Sequence, residues 1–159
     1  MFIKPDYNLK SIYDIDLSEL KQKGIEGMLF DLDSTLMASK SGVYSAKTLE
    51  WLDTVKNNFF VAVISNNHNK AYIDKVTKIS EFPILFNAGK PRIKKALDFI
   101  KEHGLAPEKC AFVGDRPLTD VLCGKRLGCT TIMVDSITAD TEAKIVRFVR
   151  FLEKLTISH

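Results

Sequence analysis

The sequence predicts a three-layer, doubly wound α/β domain: a mainly parallel, five-stranded sheet with helices on both faces. Three observations carry that expectation. Short apolar runs alternate with helix-length stretches, which is the pattern of successive βαβ units. The runs Phe59-Phe60-Val61-Ala62-Val63-Ile64 and Cys110-Ala111-Phe112-Val113 are apolar at every position, as strands covered on both faces require. Finally, the runs break off into polar residues, at Asp31 and Asp33, at Ser65 and Asn66, and at Gly114 and Asp115.

Taken in order, Met1 to Tyr13 mixes Phe2, Ile3, Tyr7 and Ile12 with Pro5 and Asp6 and reads as an extended arm lying on the domain. Asp16-Leu17-Ser18-Glu19 has the form of a capping box and Gly24 suits a helix end, so a short helix is expected over 17–23. Ile25 to Leu32 is the first buried strand. Ser34 to Tyr44 is polar, with a turn signal at Ser39-Lys40-Ser41-Gly42, and reads as a loop or small hairpin. Ser45 can cap a helix reaching Lys56, whose apolar side is Leu49, Trp51, Leu52 and Val55. The second strand is followed by a helix over 70–79 and a short third strand from Pro83 to Phe86. Gly89-Lys90-Pro91 is expected to open the next helix, with Pro in its first turn and Gly104 near its end. After the fourth strand at Cys110–Val113, Pro117 starts a helix that Gly128 ends. Cys129 to Val134 is the fifth strand, and a last helix is expected over 141–155. No repeat, low-complexity segment or linker intervenes. The expectation is one domain over 1–159: an arm and short helix at 1–24, a core at 25–135 and the C-terminal helix.

Bulk properties narrow the classes. The chain of 159 residues is 45% hydrophobic and 27% charged, ordinary for a globular protein with a real core. Lys plus Arg at 23 against Asp plus Glu at 20 gives +3, too weak for a nucleic-acid partner although it allows mild attraction to anionic surfaces. Cys110, Cys123 and Cys129 are odd in number and lack metal-ligand spacing, so they read as buried small residues in a reducing compartment. No apolar run approaches the roughly 20 residues of a membrane span. Lys4, Pro5 and Asp6 do not suit a secretory signal. A cytoplasmic protein is expected, with peripheral contact at a membrane surface left open.

In open parallel sheets, ligands bind beyond the carboxyl ends of the strands. Asp31 and Asp33, Ser65 and Asn66, Lys90, and Gly114 and Asp115 are far apart in sequence, yet all fall at that edge. Each cluster has a bland explanation. Ser65-Asn66-Asn67 can be turn and cap chemistry, Lys90 a solvated helix start, Asp115 a cap, and His68 and His103 surface residues. Together they fit phosphoryl transfer better. Asp31, Asp33 and Asp115 supply hard oxygen ligands suited to Mg2+. One carboxylate can attack phosphorus, and a second can protonate the leaving oxygen and then deprotonate water. Ser65 and the backbone amides after it can hold phosphate oxygens, while Lys90 adds a stabilising charge.

In order and over nearly the whole domain, these segments resemble the motifs of the haloacid dehalogenase (HAD) superfamily of phosphohydrolases. Asp31-Leu32-Asp33-Ser34-Thr35 looks like its first motif, Ser65 its second, Lys90-Pro91 its third, and Gly114-Asp115 through Asp120 its fourth. The resemblance implies a Rossmann-like HAD fold, with Asp31 as nucleophile and Mg2+ ligand. It makes Asp33 the general acid/base, also binding the metal through its main-chain carbonyl. Ser65 and Lys90, with Asn66 beside them, would bind phosphate, Asp115 would bind Mg2+, and Asp120 would support the metal's water shell or orient the loop. The stretches Gly24–Leu36, Val63–Asn67 and Gly114–Val121 are closer still to the YqeG branch, which includes mitochondrial phosphatidylglycerophosphate phosphatases of fungi. Ser34 and Lys125 depart from that branch, which usually has Asn at the first position and often at the second.

Members of this superfamily choose substrates largely through inserted cap domains, and the short stretch from Ser34 to Tyr44 leaves no room for one. The expectation is therefore a capless, Mg2+-dependent phosphomonoesterase acting on a bulky phosphorylated partner such as the head group of phosphatidylglycerophosphate. A soluble metabolite or phosphoprotein is the alternative substrate. Lys144, Arg147, Arg150 and Lys154 on the last helix would allow peripheral contact with anionic lipid, or the helix simply packs on the sheet. A receiver-like signalling domain is the remote alternative, disfavoured because Asn87 ends the third strand where receivers carry their phospho-accepting Asp.

Overall fold

The computed structural model describes residues 3–137 and 154–155. Among them the strands are β1 (Tyr7–Asn8), β2 (Gly27–Phe30), β3 (Phe60–Ile64), β4 (Ile84–Leu85), β5 (Cys110–Gly114) and β6 (Thr130–Met133). The helices are α1 (Leu17–Gln22), α2 (Ala46–Lys56), α3 (Lys70–Ile79), α4 (Lys94–Glu102) and α5 (Leu122–Leu127). The strands form one parallel sheet in the order β1-β6-β5-β2-β3-β4.

Strand side chains alternate between two cores because successive residues point to opposite faces. Met28, Phe30, Val61, Val63, Ala111 and Val113 pack with Leu20 of α1, Leu52 and Val55 of α2, and Val76 of α3. Leu29, Ala62, Ile64, Cys110 and Phe112 pack with Ala96, Phe99 and Ile100 of α4 and with Cys123 and Leu127 of α5. The sheet thus has helices on both faces, as a chain of apolar, doubly covered strands demands. The crossovers run outward from β2 on one face and then on the other, so the strand order reverses between β2 and β5. Both neighbours of that switch point end in carboxylates.

Two expectations are corrected. The sheet has six strands, because the N-terminal arm contributes β1 at the edge, where Tyr7 pairs with Ile132 and Asn8 with Met133. A reciprocal exchange anchors it: the Asp6 N–H donates to Thr131 Oγ1 at 3.0 Å and the Thr131 N–H to Asp6 Oδ2 at 2.8 Å. Two residues carry no periodicity, so the sequence reads as an extended arm without marking a strand. Second, α4 begins at Lys94, and Gly89-Lys90-Pro91 lies before it as loop. Gly89 has φ +76°, a left-handed turn that directs Lys90 inward. The caps read at Asp16 and Ser45 form, accepting from Glu19 N–H and Thr48 N–H, and the structure adds one at Asn69, which accepts from Tyr72 N–H. Gly128, at φ +87°, ends α5. The helix expected over 141–155 lies outside the described residues except for its last two positions. No helix among the described residues is long and apolar enough to cross a membrane.

Candidate active site

The site is assembled at the crevice where β2 and β5 diverge. After β2, the Asp31 N–H donates to Val113 O at 2.9 Å, so the ladder between β2 and β5 is still intact where Asp31 leaves the sheet. The chain then doubles back. Ser34 takes φ +67° and its N–H donates to Met37 O at 2.7 Å, while the Leu36 N–H donates to Leu32 O at 3.0 Å. This tight turn separates Asp31, at the crevice, from Asp33, beside the following loop.

Lys90 is the centre of the buried half. Its Nζ donates to Asp31 Oδ1 and Asp120 Oδ1, each at 2.8 Å, with the Lys90 and Asp120 side chains both 2% exposed. Burial alone would discourage the ammonium, but Asp120 and Asp31 more than offset it, and Lys90 is held well above its ordinary value. Burial pushes the Asp31 carboxyl well above the usual carboxylate range, Asp120 and Asp115 add to that, and Lys90 opposes it. Asp115 is buried and accepts from the Thr35 hydroxyl at 3.1 Å. Asp120 enters from the π-helical turn Pro117–Val121, and its Oδ2 accepts from the Arg116 N–H at 3.2 Å. Its approach depends on Gly114: a Cβ there would lie 2.4 Å from Asp120 Cβ, Cγ and Oδ2.

Asn66 fixes the loop that carries Lys90. Its Oδ1 accepts from the Lys90 N–H at 2.8 Å, and its Nδ2 donates to Lys90 O at 3.0 Å. Ser65 is buried at the end of β3, where its Oγ accepts from the Asn67 N–H at 3.1 Å and its own O–H remains to donate. Asp33 lies on the more open side. Its Oδ1 accepts from the Lys40 N–H at 2.9 Å and from the Tyr72 hydroxyl at 2.5 Å. Burial, then the hydrogen bond to Asp33, raise the Tyr72 phenol well above its ordinary value, so it stays an O–H donor.

A cleft of about 300 Å³ is lined by Asp31, Asp33, Ser65, Asn66, Lys90 and Asp120, together with Ser39, Lys40, Asn67, Arg116 and Thr119. Asp31, Asp115 and Asp120 each present a carboxylate oxygen within 4.8 Å of the others. All seven residues singled out from the sequence therefore meet at one edge of the sheet. Sequence reasoning missed several contributors, among them Lys40, which it offered only as part of a turn. Thr35, Arg116 and Thr119 lie inside the motif stretches, where their polarity was a usable signal. Tyr72 stands 39 positions from Asp33 on an ordinary amphipathic helix, and nothing local marks it.

The chain was compared with known proteins. A HAD-hydrolase-like family model matches residues 87–148. The Bacillus subtilis protein named "Probable phosphatase YqeG" is 31% identical over 157 residues, covering 99% of this chain and 91% of that one. The Arabidopsis thaliana protein named phosphatidylglycerophosphate phosphatase 1, chloroplastic/mitochondrial, is 32% identical over 161 residues. That match covers 96% of this chain and 46% of the plant protein, so the chain spans about half its length. Among solved structures, a HAD family enzyme from Bacteroides thetaiotaomicron in a magnesium complex has a TM-score of 0.56 at 14% identity, covering 79% of this chain and 98% of that one, a likeness of fold.

Proposed function

The chain belongs to the HAD-like phosphatases, in the branch of YqeG and the phosphatidylglycerophosphate phosphatases, and from that premise we propose its substrate, cofactor and catalytic residues. The enzyme is a phosphoric monoester hydrolase. Its substrate is phosphatidylglycerophosphate, its cofactor Mg2+, and its intermediate an acyl phosphate on Asp31. The observation that carries this reading is the meeting of Asp31 and Asp120 on the Lys90 ammonium at the β2–β5 crevice, with a further carboxylate, Asp33, held apart at the cleft wall.

The donor set fits a hard divalent cation. It consists of carboxylate oxygens, within 4.8 Å of one another, where three acidic groups share a buried space with Lys90. Asp31 and Asp115 would hold Mg2+, with the Asp33 carbonyl as a further ligand and Asp120 in support. When bound there, the ion offsets repulsion between the attacking carboxylate and the phosphate dianion.

The remaining work falls to side chains. An oxygen of Asp31 attacks phosphorus as the bond from phosphorus to the glycerol oxygen breaks. Protonated Asp33 gives its proton to that departing oxygen. Asp33 then takes a proton from a water whose oxygen attacks the same phosphorus, and the bond to Asp31 breaks. Inorganic phosphate leaves with Asp31 ionised and Asp33 protonated once more. Throughout, Lys90 orients Asp31, and the Lys90 ammonium, the Ser65 hydroxyl and the backbone N–H of Asn66 receive the phosphate oxygens. The lipid assignment is supported by the plant relative and by a cleft whose walls include Lys40 and Arg116 but, among the described residues, no cap.

Asp31→Asn is the direct test. Turnover should fall by roughly 10³-fold or more while the circular-dichroism spectrum is unchanged. Activity retained in that variant refutes the nucleophile. Chelation should abolish wild-type turnover and Mg2+ restore it. Liposome-borne phosphatidylglycerophosphate assayed beside soluble phosphoesters tests the substrate, and preference for the soluble esters replaces the lipid with a metabolite or phosphoprotein.

A further inference from the structure

We propose that a groove beside the catalytic cleft is the leaving-group subsite, and that it binds the glycerol phosphodiester left on the lipid when the terminal phosphate is removed. The assignment rests on the phosphatidylglycerophosphate reading. The groove, of about 470 Å³, is lined by Lys40, Asn66, Asn67, His68, Asn69 and Tyr72. Lys40, Asn66 and Asn67 also line the catalytic cleft, so the two spaces adjoin.

The reaction itself gives the direction. The departing oxygen must lie at Asp33 to receive its proton. Asp33 Oδ1 is held by the Lys40 N–H and the Tyr72 hydroxyl, and both residues belong to the groove wall. A substituent on the departing oxygen therefore starts at Asp33 and continues between Lys40 and Tyr72 into the groove.

The wall chemistry selects an anion. It has an ammonium, three side-chain amides, an imidazole and a phenol, with no carboxylate among the described residues. Each amide carbonyl already accepts one backbone N–H. Asn66 Oδ1 accepts from the Lys90 N–H, Asn67 Oδ1 from the Asn69 N–H at 2.9 Å, and Asn69 Oδ1 from the Tyr72 N–H at 3.0 Å. The Nδ2 groups of Asn67 and Asn69 are left as donors, beside Lys40 and His68. Such a wall matches the acceptor-only oxygens of a phosphodiester. A neutral polyol would also need acceptors, whereas the polar groups this wall leaves unpaired are donors. The first turn of α3, ten residues long and capped by Asn69, adds its positive end.

Two isosteric variants test this. Asn67→Asp and Asn69→Asp each keep the oxygen that accepts the local N–H, so the turn and the cap persist, but each exchanges the free donor for negative charge. Steady-state kinetics are measured on water-soluble, short-chain phosphatidylglycerophosphate and on p-nitrophenyl phosphate, whose leaving group carries no anion, with thermal melts as the check on folding. The ratio of kcat/KM between the two substrates should fall about tenfold in each variant, carried by KM for the lipid. An unchanged ratio, with the wild type still preferring the lipid, overturns the subsite and leaves the lipid reading standing. Equal losses on both substrates overturn it as well, because they mark a purely structural or catalytic effect. A wild type with no preference for the lipid ester overturns the substrate reading and the subsite together.

Discussion

The two halves of the site are built in opposite ways. The phosphate half is interior: Lys90, Asp115 and Asp120 are 6%, 3% and 1% exposed, on segments that follow directly from sheet strands or turn tightly beside them. The proposed leaving-group half is surface: Lys40, His68 and Asn69 are exposed, on the loops after β2 and β3. Charges in a dry interior interact strongly and need little reorganisation as negative charge develops, but each must keep its partner. Exposed donors contribute less and can be exchanged at little cost to folding. On the proposed roles, the part of the reaction common to every phosphomonoester would sit in the half that cannot change, and discrimination between leaving groups in the half that can.

The sharpest way to break that contrast is Lys90→Met, which keeps the stem and removes the ammonium. Asp31 and Asp120 would lose their shared counter-charge in a buried space, and orphaning a buried ion pair costs about 3–5 kcal/mol. Denaturant melts should show that loss, and p-nitrophenyl phosphate turnover should fall on the order of 10³-fold. Excess Mg2+ should recover part of the stability, because binding to the native state alone is stabilising. A cost below about 1 kcal/mol, the range of exposed pairs, would erase the distinction between the halves.

Next in size is Gly114→Ala. The added methyl would meet Asp120 at 2.4 Å, inside any tolerable contact, and β5 is too tightly paired on both sides to yield. Asp120 must then move away from Lys90. Overpacking of this kind costs about 1–3 kcal/mol. The melt should also lose most of its response to Mg2+, and an undiminished response would show that Asp120 takes no part in holding the ion.

The same contrast explains what could be read from the sequence. β2, β3 and β5 were legible as unbroken apolar runs because they are buried on both faces. Asp31, Ser65 and Asp115 were legible because each stands where such a run stops. Edges and loops were harder. β1 is two residues whose pairing is decided by the exposed edge of β6 and by Asp6 meeting Thr131, 125 positions away. Pro91 carried a local helix-start signal, yet the stretch from Gly89 serves to deliver Lys90, and α4 starts only at Lys94. The groove beyond Asp33 is made from Lys40, the Asn67-His68-Asn69 loop and Tyr72, which no local pattern joins. Tertiary proximity alone makes them one surface.

Tyr72 belongs to both halves and gives the smallest and most discriminating effect. Tyr72→Phe removes the hydroxyl from Asp33 Oδ1 and leaves the ring in place, so the groove keeps its shape and Asp33 keeps the bond from the Lys40 N–H. The loss in stability should be about 1 kcal/mol, the worth of a single partly buried hydrogen bond. If the hydroxyl positions the proton donor, kcat on p-nitrophenyl phosphate should fall about three- to tenfold, a fraction of what general acid catalysis supplies, with KM nearly unchanged. A rise in KM at constant kcat would instead make Tyr72 a wall of the groove and nothing more. No change in either constant would leave the Lys40 amide as the sole director of Asp33, and α3 would then serve recognition without touching the chemistry.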